Sequence, residues 1–189
     1  MIAENMHLTA EQLEAGLPHV LASPSDEGTL EMIVRRPANG ERERLIEGEL
    51  DLELGLVGDN WHVRPSSRTP DRSPHPDMQL NVMNARMIDV IAQSRDRWQL
   101  AGDQLFVDLD LSEKNLPVGT RLAIGSAIIK VTEQPHKGCK KFSQRFGVEA
   151  LKFVNSPIGK PLRLRGLCAK VVQAGTVGQG DKVRVIGAE

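Results

Sequence analysis

The sequence predicts a mainly β fold with a few short helices, arranged as a barrel or a sandwich. Two observations lead to this prediction. Short apolar runs separated by glycine turns fill the second half of the chain, and strands do not alternate with helices as in a βαβ sheet. A chain of 189 residues can bury roughly 70% of its unfolded surface in one core. We therefore expect one domain over residues 1–189, to which residues 1–49 add a helix and strands.

The N-terminal region is expected to begin with a short helix. Thr9 is a typical N-cap residue, and it is followed by glutamate, glutamine and leucine. Gly16 and Pro18 are predicted to end this helix, because glycine and proline are the usual residues at helix ends. An apolar run over residues 29–35 predicts the first strand, which a proline closes.

The middle of the chain is less regular. Asn39-Gly40 favours a hairpin turn. Strict alternation of leucine with acidic residues over 50–54 predicts a short, half-buried strand. Residues 64–77 hold four prolines among serines and arginines. Such a segment is either a disordered insertion or an ordered lid, since long loops in compact domains are usually functional or mobile.

A helix over residues 85–93 follows, and Asn81 and Asn84 are candidates for its cap. Beyond it the chain changes to strands. Those strands are predicted over residues 104–107, 121–124, 127–132, 166–172 and 182–186. Two short helices interrupt them, one after Gly138 and one over residues 148–154.

Composition excludes several classes of function. The net charge of −1, the 3% aromatic content and the absence of tyrosine argue against nucleic-acid binding. No window approaches the roughly 20 apolar residues of a membrane span, and residues 1–10 do not resemble a signal peptide. We therefore expect a cytoplasmic protein that binds neither nucleic acid nor membrane. The usual phosphate-loop, dinucleotide and zinc-protease motifs are absent from the sequence.

Cys139 carries most of the chemical signal. Cysteine reacts and binds metals as its thiolate, so its neighbours decide whether it is inert. His136, Lys137, Lys140 and Lys141 surround it in sequence, and the predicted helix begins beside it. Positive charge and a helix N-terminus both lower a thiol pKa. The alternative is an inert, buried cysteine that serves only packing, but such a residue needs no basic surroundings.

The order of six segments resembles the MOSC domain, the C-terminal module of molybdenum-cofactor sulfurases. The segments are GLVGD at 55–59, QLNVMNAR at 79–86, GDQLFVDLD at 102–110, LPVGTRLAIG at 116–125, PHKGC at 135–139 and GLCAKVVQAGTVGQGD at 166–181. The resemblance runs from about residue 50 to the end of the chain. It implies a closed or partly open, mostly antiparallel β-barrel, similar to the pyruvate kinase barrel, with one reactive cysteine at the mouth of a cleft. Cys139 is the matching position.

The resemblance implies sulfur or molybdenum-cofactor chemistry, in which Cys139 either carries a persulfide or ligates molybdenum directly. The protein would then be a sulfur transferase, served by a sulfur-donor protein, or a molybdenum-cofactor-dependent reductase. No pyridoxal phosphate is expected, because the desulfurase domain of the sulfurases does not match this chain. Cys139 is thus the candidate catalytic residue and metal ligand. The candidate cofactor-binding residues are His136, Lys137, Lys140, Arg86, Asp59 and Asn84.

Three of these candidates have structural alternatives. Asp59 either orients a ligand or caps a turn. Asn84 is a helix cap as well as a site candidate, and Arg86 lies either at an anionic site or on the solvent face. Cys168 lies in an apolar run, which favours packing over a redox pair with Cys139.

A second hypothesis is a non-catalytic β-barrel that binds a sulfur-containing metabolite or a protein partner. The proline-rich segment 64–77 would then be the recognition element, with Arg64, Arg68 and Arg72 as anion contacts. The state of the thiol separates the two hypotheses, because a binding module does not need an activated cysteine.

Overall fold

The computed structural model describes residues 7–188 and contains a closed β-barrel of seven strands with helices packed on its outside. The strands are β1 (Glu27–Arg35), β2 (Glu43–Leu45), β3 (Glu47–Asp51), β4 (Gly55–Leu56), β5 (Leu80–Asn84), β6 (Leu105–Asp108), β7 (Thr120–Ile124), β8 (Ala127–Val131), β9 (Leu167–Gln173), β10 (Gly175–Gly178) and β11 (Lys182–Ala188). The α-helices are α1 (Ala10–Leu21), α2 (Ala85–Ala92), α3 (Lys140–Phe146) and α4 (Val148–Val154). Three 3-10 helices cover Asn60–Val63, Pro76–Met78 and Arg95–Ala101.

The barrel runs in the order β11-β7-β8-β9-β5-β6-β1, and β1 pairs with β11 to close it. β2 extends β1, while β10, β3 and β4 form a separate small sheet. Neighbouring barrel strands are antiparallel except β5 and β6, which are parallel and joined through α2. A parallel pair requires such a crossover connection. The predicted mainly β barrel with a few helices is therefore confirmed, with one parallel pair in an otherwise antiparallel sheet.

Two hydrophobic clusters form the core, and alternation along the strands separates them. Leu30 and Ile33 of β1 join the cluster inside the barrel, whereas Met32 and Val34 join the cluster under the helices. Burial on both faces explains why Met32, Ile33 and Val34 are consecutive apolar residues in β1. The second cluster also holds Phe142 and fixes α3 on the barrel.

Three local predictions were wrong. α1 continues through Pro18 to Leu21, because buried Leu13 and Val20 hold it on the second cluster and packing outweighs the cost of the proline. Residues 52–54 are a turn, which forms because Asp51 Oδ1 accepts the backbone N–H groups of residues 53 and 54. Asn81 lies in β5, so Asn84 alone caps α2.

The proline-rich segment 64–77 is ordered and contacts the end of the barrel. Arg68 donates to Gln134 at 3.0 Å, and Thr132 donates to the backbone carbonyl of Asp77. Lys170 of β9 forms an ion pair with the Asp77 carboxylate at 2.8 Å. These contacts bring the segment beside residues 132–139, which carry Cys139.

Among residues 7–188, no helix combines the length and the apolar character that crossing a bilayer requires.

Candidate functional site

Cys139 lies at the N-cap position of α3 in an extended backbone conformation, and its side chain is exposed. The helix forms because Phe142 and Phe146 share one face, are both buried, and contact each other as tilted rings with centroids 5.0 Å apart. The second cluster thus anchors the helix, and Cys139 is left at its solvent-facing start. The other cysteine, Cys168, is buried in β9.

Cys139 lines a cavity of about 390 Å³ at the end of the barrel. The cationic residues that line it are Arg36, Arg42, Arg64, Lys137, Lys141, Arg145 and Arg165. Among the described residues, no aspartate or glutamate lines this cavity. Neutral polar groups come from Asn39, Asn60, Asn81 and His136. The cavity is therefore strongly electropositive and suited to an anionic ligand.

Arg36 is held in place by Asp59 from behind the cavity wall. The Asp59 carboxylate accepts from Nε and Nη2 of Arg36, both at 2.8 Å, and from two backbone N–H groups. Burial alone would raise the pKa of Asp59, but the bonds from Arg36 outweigh it and the pKa lies below its usual range. Asp59 is thus a buried partner that orients Arg36, and it also caps the 3-10 helix Asn60–Val63.

Three arginines of the cavity lack such an acidic partner in the described part of the chain: Arg42, Arg64 and Arg145. Burial lowers the pKa of Arg42, and repulsion from Arg145, Arg36 and Arg64 lowers it further. Burial and repulsion from Arg36 act on Arg64 in the same direction. The Arg42 Nε is buried with no hydrogen-bond partner among the described residues. A bound anion would relieve this repulsion.

His136 and Arg165 share the carboxylate of Asp103. His136 Nε2 lies 2.7 Å from Asp103 Oδ1, and Arg165 Nη1 donates to Oδ2 at 2.7 Å. Asp103 is completely buried, and although burial alone would raise its pKa, Arg165 and His136 bring it down to about 2. Arg165 also stacks over the Phe142 ring at 4.8 Å. The group therefore connects the barrel end with α3.

Two further cavities adjoin the first. One of about 450 Å³ shares His136, Lys137 and Arg165 with it, and is also lined by Arg163 and Lys160. Another of about 230 Å³ shares Arg36, Arg64, Pro65 and Asn81, and is also lined by Trp61, Arg68 and His75. The Cys139 cavity is thus the middle of a longer groove.

The structure brings together Cys139, His136 and Lys137 from the sequence-predicted site, and Asp59 holds Arg36, another residue that lines the same cavity. Lys140 is the first residue of α3 but does not line the cavity. Arg86 forms an ion pair with Asp108 and lines a different surface pocket. Asn84 is a buried cap whose amide donates to Ser23 and Leu109. Arg86 and Asn84 therefore make structural contacts away from the Cys139 cavity.

Sequence reasoning did not single out Arg36, Arg42, Asp103 and Arg165 as site residues. Arg36 directly follows β1, Arg42 directly precedes β2, and Arg165 lies two residues before β9. Isolated arginines near strand ends are common surface residues, so no local pattern marks them. Asp103 lies in segment 102–110, which resembles the MOSC domain, and this resemblance could have marked it as a site candidate.

Among residues 7–188, no group of three or more histidine, cysteine, aspartate or glutamate side chains could hold a metal ion. Cys139 therefore has no such set of protein ligands around it. A metal bound here would have to bring most of its ligands with it.

The fold and the cavity define a closed β-barrel protein with a cationic cleft around an exposed thiol. The MOSC domain family model matches residues 69–184. This match spans more than half of the chain, and the protein therefore belongs to the MOSC domain family, which is associated with the molybdenum cofactor. No curated protein matches the chain.

Solved structures support the fold. The YUAD protein from Bacillus subtilis aligns with a TM-score of 0.61 and 16% identity, covering 86% of this chain and 97% of that one. YiiM from Escherichia coli aligns with a TM-score of 0.54 and 22% identity, covering 85% of this chain and 71% of that one. At these identities the likeness establishes the shared barrel.

Proposed function

We propose that this MOSC-domain protein acts in sulfur or molybdenum-cofactor chemistry through Cys139. The observation that carries the proposal is the position of an exposed thiol on a cavity lined by seven cationic side chains, without a carboxylate among the described lining residues. A thiolate is a soft metal ligand and a sulfur nucleophile.

The residues fit a molybdenum cofactor held by one protein ligand. Cys139 would supply that ligand. The described residues contain no group of three or more histidine, cysteine, aspartate or glutamate side chains that could hold the metal without the cofactor. Arg42, Arg64 and Arg145 would hold the anionic end of the cofactor, which would offset the repulsion among these cations. When bound, molybdenum supplies two-electron redox chemistry. The role of these side chains is to bind, orient and neutralise the ligand.

The same thiol supports persulfide transfer. The Cys139 thiolate would attack the outer sulfur of a donor persulfide, forming a new S–S bond and releasing the donor as its thiolate. The product is a Cys139 persulfide, and no external oxidant or reductant is consumed. Lys137 and Lys141 line the same cavity and stabilise the anionic sulfur before and after this step.

A non-catalytic binding module is the second candidate. Arg64 of the proline-rich segment lines both the Cys139 cavity and its neighbour, where Arg68 also lies. The segment therefore supplies cations for an anionic metabolite regardless of the thiol. Under this alternative, replacing Cys139 would leave ligand binding intact.

Three proteins purified in parallel test the proposal: the wild type, Cys139→Ser and the control Cys168→Ala. We would measure molybdenum by mass spectrometry, pterin by fluorescence after oxidation, and sulfane sulfur by cyanolysis. Molybdenum with pterin, or sulfane sulfur, is expected in the wild type and the control and should be lost in Cys139→Ser. Equal contents in all three proteins would reject the role of Cys139 and favour the binding module.

A further inference from the structure

The hydrogen bond between His136 and Asp103 fixes the proton of the imidazole. A carboxylate that is ionised can only accept, and Asp103 already accepts from Arg165 at 2.7 Å through its other oxygen. The His136 Nε2, 2.7 Å from Asp103 Oδ1, must therefore carry a hydrogen. Arg165 is itself fixed by a bond to the backbone carbonyl of Ala101. Asp103 and Arg165 thus act as a rigid support for the ring.

The other nitrogen of this ring, Nδ1, has no hydrogen-bond partner among the described residues. Burial and the positive charges of Arg165 and Arg36 disfavour a second proton on the ring, whereas Asp103 favours it. The first three effects outweigh that of Asp103, so the pKa of His136 lies below its ordinary value of 6.5. The ring is therefore neutral at physiological pH, and Nδ1 carries a free lone pair.

His136 lines both the Cys139 cavity and the adjoining cavity of about 450 Å³. All seven charged side chains of the Cys139 cavity are hydrogen-bond donors. An acceptor in such surroundings distinguishes ligands that a uniformly positive wall would bind equally. An anion that carries an N–H or O–H group can accept from the cationic side chains and donate to His136 Nδ1. An anion without such a group places one of its own lone pairs against the lone pair of His136 Nδ1, which is repulsive.

We propose that Asp103 and Arg165 are positioning residues that hold His136 as the neutral Nε2–H tautomer, and that His136 Nδ1 selects anionic ligands which also carry an N–H or O–H donor. The inference rests on the proposed function in one respect, which is that the Cys139 cavity is the ligand site. It requires neither molybdenum nor sulfur transfer, so it can be tested independently of the chemistry proposed for Cys139.

The tautomer is measured by nitrogen-15 NMR of histidine-labelled protein at neutral pH, with His136→Gln to assign the signal. The structure provides two internal references. His62 Nδ1 lies 3.0 Å from the carbonyl oxygen of Asp59 and must be protonated, whereas His75 Nδ1 accepts from the backbone N–H of Asp77. Nδ1 of His136 should be unprotonated, as in His75, and not protonated as in His62. A proton on His136 Nδ1, in either the neutral or the charged ring, would overturn the proposal.

Selectivity is measured with two oxyanions of similar size, phosphate and sulfate, by calorimetry at about pH 8, where phosphate is mainly a dianion like sulfate. Phosphate retains one P–O–H donor and sulfate has none. The wild type should bind phosphate roughly tenfold more tightly, the scale of one hydrogen bond with a charged partner. Equal affinity, or preference for sulfate, would contradict the acceptor role.

The substitution His136→Gln distinguishes the hydrogen bond to Asp103 from the selection of anions by Nδ1. A glutamine amide nitrogen can replace Nε2 in donating to Asp103, but the acceptor Oε1 of glutamine lies beside that nitrogen and not at the position of Nδ1. The variant should therefore keep its fold and lose the preference for phosphate, while His19→Gln on α1 should keep both. Retention of the preference in a folded His136→Gln protein would show that another group selects the anion.

Asp103 is tested by a conservative pair. Asp103→Asn removes the charge that fixes Nε2–H and should mix the His136 tautomers and reduce the phosphate preference. Asp103→Glu keeps the carboxylate and should restore both. Should Asp103→Asn not fold, Asp103→Glu and His136→Gln still decide the outcome. A folded Asp103→Asn protein with an unchanged tautomer would refute the positioning role.

Discussion

At the scale of single residues, the two cysteines differ in everything that controls reactivity. Cys139 is exposed beside cations, whereas Cys168 is buried and weakly bonded to Asn81 at 3.6 Å. Burial raises the pKa of the Cys168 thiol to about 12, with Asp103 contributing. A buried thiol with such a pKa is not ionised at neutral pH. The packing role predicted for Cys168 agrees with this position.

We therefore expect one fast alkylation in the native protein. Iodoacetamide at neutral pH should label Cys139 and leave Cys168 unmodified until the protein is unfolded. Peptide mass spectrometry checks this, and the pH dependence of the rate in Cys168→Ser gives the pKa of Cys139. Fast labelling of native Cys168, or no labelling of Cys139, would contradict the described exposures.

Asp103 is expected to be the most sensitive charged residue. Replacement by asparagine leaves buried Arg165 without its ion partner, which typically costs about 3–5 kcal/mol. The matched control is Asp96→Asn, since Asp96 pairs with Arg44 on the surface and its side chain is 87% exposed. That change should cost less than about 1 kcal/mol. Urea unfolding of both variants gives the comparison, and similar losses would mean that the Asp103 pair is not buried in solution.

At the scale of elements, packing overrode local signals wherever a segment contacts the core. α1 passes through Pro18 because its buried face holds it. The exposed residues after Asp51 form the turn between the paired strands β3 and β4, where Asp51 Oδ1 accepts two backbone N–H groups. By contrast, strong local signals were sufficient for the hairpin turn at Asn39-Gly40 and the cap at Asn84. Sequence thus predicted elements whose determinants are within a few residues.

α3 gives a test at this scale. Phe142 is buried, contacts the tilted ring of Phe146 and lies under the guanidinium of Arg165. Phe142→Ala should cost about 3–5 kcal/mol through the cavity it creates, and it should also weaken phosphate binding by loosening Arg165. Val148→Ala in α4 is the control, because Val148 is 54% exposed. Chemical denaturation measures both, and a small loss for Phe142→Ala would show that α3 is not anchored by this side chain.

At the scale of the whole molecule, the buried charges make stability depend on pH. The pKa of Asp103 is about 2, below its ordinary 3.8, and that of His136 lies below 6.5. In both cases the unfolded chain binds protons more readily than the folded one, so acid favours unfolding. The contribution of His136 is complete above pH 6.5 and declines below it. That of Asp103 is complete above pH 3.8 and is lost towards pH 2.

We therefore expect the free energy of unfolding to fall as the pH is lowered from 7, first gradually and then steeply below about 4. His136→Gln should remove the part of this decline that begins near pH 6.5. Thermal or urea unfolding across the range measures it. Stability that rises on acidification, or a decline that is identical in His136→Gln, would contradict the assigned pKa directions.

The sequence by itself determined the β class, most strand positions and the helix that begins after Cys139, because each depends on local pattern or on an ordered set of motifs. Only the tertiary structure decided which charges surround the thiol. Arg36 and Arg42 come from the connection between β1 and β2, Arg64 from the proline-rich segment, and Arg165 from the segment just before β9. Barrel closure brings these distant segments to one end, and no local signal encodes which side chains will face each other there. The same closure placed Arg86 and Asn84 elsewhere, in contacts of their own.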